Sequence, residues 1–324
     1  EKRKESILKS IEEQGKLTPQ LEKKILEAEN MTRLEDLYLP YKSKRRTRAT
    51  IAREKGLEPL AKILMSQRNI DIDEAAEKFI NAKKGVNDEE EALAGARDII
   101  AEWVNENPVA RAKVRRLFER KAIIQAKLVK GKEKEAEKFS DYFDWNEPLK
   151  RVPSHRFLAI MRGNNEGFLR LSIAPNQDDA LEILDDVFLK AENEASEEVQ
   201  EAITDAYKRL MKPSIETEIR NEAKAKADAD AIQVFTTNLR ELRLSPPLGQ
   251  KNVMAIDPGF RTGCKIVCLD KQGQLLQYTT IFPHDRTSSR RFDAVSKVEA
   301  LCKKYKIEAI AIGNGTAGRE TMDF

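Results

Sequence analysis

The amino-acid sequence predicts a mostly α-helical protein followed by a small α/β part. Charged residues make up 35% of the chain and aromatic residues only 6%, and a chain of this kind rich in Ala, Glu, Lys, Leu and Arg is typical of helices with solvated faces. Helical periodicity runs through the first three quarters of the chain, whereas residues 252–324 change to short apolar runs separated by turn residues. We therefore expect a multi-helix scaffold that precedes a small mixed sheet.

The first part of the chain, residues 1–64, predicts a unit of small helices. A helix over residues 4–13 is followed by one that Thr18 caps and by a third that Thr32 caps and that ends before Pro40. This succession of helix, tight turn and helix is similar to a helix-turn-helix, which in many proteins contacts DNA. Helical hairpins with no nucleic-acid role have the same pattern.

A basic loop follows within YLPYKSKRRTRAT, residues 38–50. Cations at this density neutralise phosphates and release counterions, and Tyr38 and Tyr41 can stack on bases. The alternative is a solvated loop whose arginines pair with acidic helices nearby. The run contains no acidic residue, which favours nucleic-acid contact by Lys42, Lys44, Arg45, Arg46 and Arg48.

A basic helix is predicted over residues 111–134, within a region that remains helical from residue 51 to 129. It holds ten Lys or Arg and two Glu, yet Val114, Leu117, Ile124 and Leu128 recur at helical spacing. One side can be buried while the other offers cations to a polyanion; these are Lys113, Arg116, Arg120 and Lys127. Ion pairs with the acidic residues 88–91 are the competing interpretation.

Residues 65–247 predict the helical scaffold. A helix over residues 155–162 ends at Gly163, a short strand covers residues 167–173, and amphipathic helices cover residues 178–191 and 196–244. His155 has no Cys or carboxylate at metal-ligand spacing, so we interpret it as a capping residue. Pro246 and Pro247 mark a linker.

The last part, residues 248–324, predicts the order strand, strand, strand, helix, strand. The predicted bounds are 253–256, 264–269, 275–281, 288–305 and 309–312. The first strands can form antiparallel hairpins, and the helix can cross over to make the last strand parallel to the first. This succession is that of the start of a ribonuclease H-like domain.

Asp257, in VMAIDPGFRTGCK, is the candidate metal ligand of this sheet. A nuclease of this fold uses two metals about 4 Å apart, which one carboxylate cannot hold. The neighbouring parallel strand ends in IAIGNGTAG, which places Asn314 where a second acid is needed. We therefore predict a vestigial site at Asp257 and Asn314 with no catalytic residue and no bound metal. The alternatives are a structural Asp-Pro-Gly turn and a weak phosphate site that includes Arg261, Thr262 and the GNGTAG loop.

Several long motifs resemble the Tex family of bacterial transcription accessory proteins. They are EDLYLPYKSKRRTRATIAREKGLEPLA, PSHRFLAIMRG, VMAIDPGFRTGCK and IAIGNGTAGRET. The resemblance implies a helical scaffold with an interrupted helix-turn-helix and a YqgF domain of ribonuclease H type that lacks a full nuclease set. It also implies helix-hairpin-helix and oligonucleotide-binding-fold RNA domains beyond Phe324, and a role in transcription with binding of single-stranded RNA. We therefore expect the chain to be a piece of a larger protein.

The sequence and the resemblance together predict a non-enzymatic scaffold that binds RNA or DNA, with single-stranded RNA preferred. The alternatives are a metal-dependent nuclease or resolvase of the RuvC type centred on Asp257, and a docking surface for RNA polymerase or ribosome-associated proteins. We predict a monomer with no cofactor. Three cysteines without metal-site spacing, and no apolar run long enough for a bilayer, indicate a cytoplasmic protein with no membrane contact.

Overall fold

The computed structural model describes residues 1–42, 45–284 and 288–324. Two compact units, Glu1–Thr236 and Thr237–Phe324, divide the chain. Helices dominate and two small sheets accompany them, which confirms the predicted fold class. Within the described ranges, no helix has the length and apolar character needed to cross a membrane.

Three short helices begin the first unit and share a small apolar core. Thr18 caps the second helix as predicted, because its side chain accepts a hydrogen bond from the Leu21 N–H at 3.2 Å. The predicted cap of the third helix, Thr32, is wrong. Asn30 caps it instead, accepting from the Arg33 N–H at 2.8 Å, since the helix begins one residue before Thr32. The helices are α1 (Lys2–Glu13), α2 (Pro19–Leu26) and α3 (Met31–Tyr38).

Five helices then build the centre of the first unit. The longest of them, α7, is buried along Leu93, Ile99, Ile100 and Val104, so it forms the middle of the main apolar core. The others pack around it or continue from its end. The five are α4 (Arg48–Glu54), α5 (Glu58–Ser66), α6 (Ile72–Glu77), α7 (Glu89–Glu106) and α8 (Pro108–Lys121).

The predicted helix over residues 111–134 is wrong beyond Lys121. The helix ends at that residue, and a strand begins at Ile123. Ile124 and Ala126 are buried while Gln125 and Lys127 are exposed, and this period of two belongs to a strand. Three antiparallel strands form a sheet in the order β2-β1-β3. They are β1 (Ile123–Leu128), β2 (Asp144–Pro148) and β3 (Leu169–Ala174).

Gly163 does not end its helix, contrary to the sequence prediction. Helix α9 (Ser154–Asn165) continues past it. A Cβ at Gly163 would lie 2.6 Å from Leu169 Cδ1, so the glycine allows close packing of the helix on β3. The chain turns instead at Gly167, where φ is +74°.

Three more helices begin in the first unit, and the last two are joined without a break by a π-helical stretch. The single helix predicted over residues 196–244 is divided by a π-helical stretch, Ala206–Met211, which has a wider hydrogen-bonding pattern. From Ala229 onward the last helix is exposed. The helices are α10 (Gln177–Phe188), α11 (Glu194–Asp205) and α12 (Lys212–Leu244).

The second unit has the predicted order of elements. Its sheet runs β6-β5-β4-β7, with β4 and β7 parallel and the other pairs antiparallel. One core contains Met254, Ile256, Ile266 and Ala294, and both Cys264 and Cys268 are buried free thiols, as expected. The elements are β4 (Val253–Asp257), β5 (Cys264–Leu269), β6 (Leu275–Ile281), α13 (Ser288–Tyr305), β7 (Ala309–Ile312) and α14 (Gly318–Asp323).

Candidate nucleic-acid interface

Helix α8 carries three of the candidate binding residues, Lys113, Arg116 and Arg120. Asn107 fixes its start, because the side-chain oxygen accepts from the N–H groups of Val109 at 2.9 Å and Ala110 at 3.0 Å. Val114 and Phe118 bury one side of the helix in the main core. The cations of α8 therefore divide according to the side on which they lie.

Two arginines of α8 point inward and hold α3. Arg111 Nε donates to Asp36 Oδ1 at 2.6 Å, and Arg115 Nη2 lies 2.8 Å from Asp36 Oδ2. Arg115 Nε also donates to Glu218 Oε1 of α12 at 2.6 Å. We call these four residues the Asp36 clamp; Asp36 itself is 6% exposed. They join three helices through buried charge.

The charges of the Asp36 clamp support one another. Burial alone would lower the pKa of Arg115, but its hydrogen bond with Glu218 and the nearby Asp36 carboxylate outweigh burial, so the pKa is raised. Arg111 has a further partner, since its Nη2 donates to Ser214 Oγ at 3.1 Å. The inward arginines are thus satisfied by protein groups and are not free for a ligand.

Three other cations of α8 form an exposed row, the α8 stripe: Lys113, Arg116 and Arg120. At about 100° per residue, this row lies roughly 150° around the helix from Arg111 and Arg115. None of the three forms an ion pair or a side-chain hydrogen bond with a residue of the described ranges.

The acidic residues 88–91 were the alternative partners of these cations. Glu90 pairs with Arg97, and Glu91 accepts from the Asn87 side chain and N–H. In the described part of the chain, those two carboxylates therefore bind groups other than the α8 stripe. Lys127 is exposed on β1, directly opposite Arg170 of β3.

The described cations of the basic loop are exposed but only partly free. Lys42, Arg45, Arg46 and Arg48 are exposed, and Lys44 lies outside the described residues. Arg46 pairs with Glu54 of α4 at 2.6 Å. This pair agrees with the alternative interpretation, in which arginines of the loop pair with acidic helices nearby.

Three neighbours of the basic loop bear on the sequence interpretation. Burial raises the pKa of Asp98, against the opposing charges of Arg209 and Arg48, so Arg48 lies near an acidic group. Tyr38 donates to or accepts from Ser10 Oγ at 3.0 Å. Its ring and that of Tyr41 are partly buried against the N-terminal core, which leaves only part of each ring exposed.

The ends of β4 and β7 bring together the predicted vestigial residues of the second unit. The Gly313 N–H donates to the Ile256 carbonyl at 2.9 Å, and a Cβ at Gly313 would lie 3.9 Å from Asp257 Oδ1. Asn314 follows directly. Asp257 and Asn314 are both exposed, so the strand ends meet as expected, with glycine and asparagine beside the single carboxylate.

This donor set does not fit a pair of divalent metals. Two-metal sites need several carboxylates to balance the charge. Among the residues that the structure describes, no group of three or more His, Cys, Asp or Glu side chains is placed to hold a metal ion. Asp257 contributes one carboxylate, which is too little charge to balance two dications.

The Asp36 clamp was not predicted from the sequence. The available signal was the helical position of Arg111 and Arg115, which places them beside the buried Val114 and Phe118 rather than with Lys113 and Arg116. Two arginines on an apolar face require buried acidic partners. Asp36, which is 75 residues earlier than Arg111, carries no comparable local signal.

Two family models match the chain. Residues 67–235 match the Tex central region-like model, and residues 251–324 match the Tex protein YqgF-like domain. The first match alone covers more than half of the chain.

Relatives match over nearly the whole chain. Protein YhgF of Escherichia coli is 44% identical over 100% of this chain and 43% of its own length. The transcriptional accessory protein Tex of Neisseria gonorrhoeae is 40% identical over 99% of this chain and 42% of its own length. The human S1 RNA-binding domain-containing protein 1 is 26% identical over 98% of this chain and 33% of its own length. The chain spans less than half the length of these relatives.

Proposed function

Since the chain belongs to the Tex family, we propose that it is a nucleic-acid-binding scaffold of transcription that binds single-stranded RNA and has no catalytic activity of its own. The observation that carries this proposal is the α8 stripe. The names of two relatives support it, because one is a transcriptional accessory protein and another an S1 RNA-binding domain-containing protein.

The α8 stripe is suited to a phosphate backbone. Lys113 and Arg120 are seven residues apart, which corresponds to about 10 Å along a helix. Rigid positioning on a packed helix lowers the entropy cost of presenting three cations together. Each phosphate that they neutralise releases counterions, so the binding free energy depends on salt. We propose that Lys42, Lys44, Arg45, Arg46 and Arg48 of the basic loop add phosphate contacts.

Reversing the charge of the α8 stripe tests the proposal. The variant Lys113→Glu, Arg116→Glu, Arg120→Glu is expected to bind single-stranded RNA about tenfold or more weakly at 0.1 M salt, and to reduce the slope of log K against log salt by about 2. Fluorescence anisotropy with a labelled oligonucleotide at several salt concentrations measures both quantities.

A matched control separates the α8 stripe from total charge. Lys83, Lys134 and Lys190 are exposed lysines scattered over the same unit, and their triple change to Glu alters the net charge equally. This control is expected to keep most of the affinity. Equal losses in both triple variants, or unchanged binding in the stripe variant, would count against an interface on α8.

We also propose that the ends of β4 and β7 have no nuclease activity. The protein and its Asp257→Asn variant are expected to leave labelled single- and double-stranded RNA and DNA intact in millimolar Mg²⁺ or Mn²⁺, because one carboxylate does not balance two dications. Gel analysis of the labelled strands measures this. Metal-dependent scission that disappears in Asp257→Asn would establish the RuvC-type alternative.

We propose finer assignments on the same basis. The functional parts are residues 1–64 with the helix-turn-helix-like unit and the basic loop, residues 65–247 as the scaffold, and residues 248–324 as the YqgF-like part. The protein acts as a monomer that contacts RNA or DNA close to RNA polymerase or ribosome-associated proteins.

A further inference from the structure

The loop between β4 and β5 displays three adjacent side chains on a tightly packed base. Phe260, Arg261 and Thr262 are all exposed, and a glycine flanks them on each side. A Cβ at Gly259 would lie 2.8 Å from the Gly263 carbonyl oxygen, and a Cβ at Gly263, where φ is +74°, would lie 2.6 Å from the Ile281 carbonyl oxygen. Close backbone packing on both sides therefore fixes the position of this loop tip.

An aromatic contact and two hydrogen bonds support the Phe260 ring. Phe260 is 52% exposed, and its ring meets His284 edge to face at 5.3 Å between centroids. His284 Nε2 lies 2.9 Å from Thr321 Oγ1, while the Thr321 hydroxyl donates to the Ala317 carbonyl at 2.7 Å. These contacts hold the His284 ring that packs against Phe260.

Polar groups of three kinds are exposed on the two loops at these strand ends. Asp257 begins the same loop with an exposed carboxylate that receives no hydrogen bond from any described residue. Arg261 supplies an exposed guanidinium, and Asn314 and Thr316 are exposed on the neighbouring loop after β7. An open aromatic face beside a cation and hydrogen-bonding side chains is the combination that binds single-stranded nucleotides.

We propose that this loop tip binds one nucleotide of a single-stranded RNA. Phe260 stacks on the base, Arg261 contacts the phosphate, and the Asp257 carboxylate accepts a hydrogen bond from the ribose 2′-hydroxyl. The base must be unstacked, which excludes a duplex, and the 2′-hydroxyl favours RNA over DNA. The proposal rests on the proposed function but assigns a second binding site, separate from the α8 stripe.

Photo-crosslinking locates this site directly. The intact protein is irradiated with a short oligoribonucleotide that contains 5-iodouridine, and the crosslinked peptide is identified by mass spectrometry. A crosslink at Phe260 is expected. Phe260→Ala should abolish it and weaken binding about five- to hundredfold, with an unchanged salt slope because phenylalanine carries no charge. Phe260→Trp should retain the binding.

The Arg261→Ala variant and the charge-reversed stripe variant separate the proposed nucleotide site from the proposed function. Arg261→Ala should lower the salt slope by about 0.7, and an unchanged thermal melting curve shows that each variant is folded. If the stripe variant weakens binding but no crosslink falls at Phe260 and Phe260→Ala binds normally, the nucleotide site is overturned and the proposed function stands. If the unmodified protein binds no RNA, both proposals fail.

Discussion

Replacing Asp36 by alanine is expected to lower the free energy of unfolding of the first unit by about 3–5 kcal/mol. The change removes the carboxylate shared by Arg111 and Arg115 and leaves buried positive charge without its main partner. Arg115 retains Glu218, but Arg111 retains only neutral partners, Ser214 among them. Urea denaturation followed by circular dichroism measures this loss as a shift of the unfolding transition of the first unit to lower urea concentration.

Glu35 provides the control on the same helix. Its ion pair with Arg3 has a similar length, 2.6 Å, but both side chains are more than a third exposed. Glu35→Ala is therefore expected to cost less than about 1 kcal/mol, because exposed pairs contribute little. Equal losses at Asp36 and Glu35 would show that the Asp36 clamp does not anchor α3.

A repair variant tests the cause of the loss at Asp36. Combining Asp36→Leu with Arg111→Met removes the unpaired charge and fills the space with apolar side chains, so it should recover part of the lost stability. Hydrogen exchange of α1 to α3 should increase in Asp36→Ala and return towards that of the unmodified protein in the repair variant. Failure of the repair would assign the loss to packing rather than to buried charge.

The Asp36 clamp also divides the cations of α8 into two sets. The inward arginines hold the N-terminal helices, and the outward cations are exposed. The sequence predicts the outward set correctly as exposed, since Lys113, Arg116 and Arg120 oppose the buried Val114. It does not reveal the inward set, because the partners of Arg111 and Arg115 come from Asp36 and Glu218, which are distant along the chain.

The sequence predicts the five elements between Val253 and Ile312 almost to the residue, for local reasons. The strands are short and apolar, and each is bounded by strong turn residues such as Pro258 and Gly273. The observed bounds of the last four predicted elements agree with the prediction. The closeness of Asp257 to Gly313, the residue before Asn314, then follows from the parallel pairing of β4 and β7. The exposure of Phe260 does not follow from strand pairing, because it depends on how the loop between β4 and β5 packs.

The sequence does not predict most of the first sheet, because the pairing of its strands is non-local. β1 contains Lys127 and Gln125 between apolar residues, a pattern that fits a helix nearly as well as a strand. β2 has the sequence Asp-Trp-Asn-Glu-Pro, in which Asp, Asn and Pro are unfavourable in strands. Only the pairing of β1 with β2 and β3 decides the conformation.

Substitution at Ala126 is expected to have the other large effect. Ala126 is fully buried on β1, paired with Leu171 on one side and Trp145 on the other. Ala126→Glu places an unpaired carboxylate among apolar side chains and should cost about 3 kcal/mol or more. Thermal and urea denaturation of the first unit measure the loss.

Gln125→Glu is the matched control, because it introduces the same side chain one residue earlier on the exposed face of β1. We expect a change within about 0.5 kcal/mol, as for other surface substitutions. A helix continued from α8 would reverse this order, since its periodicity places Gln125 near the centre of the buried side and Ala126 about 100° further around the helix. A larger loss at Gln125 than at Ala126 would therefore contradict the strand, and with it the register that exposes Lys127.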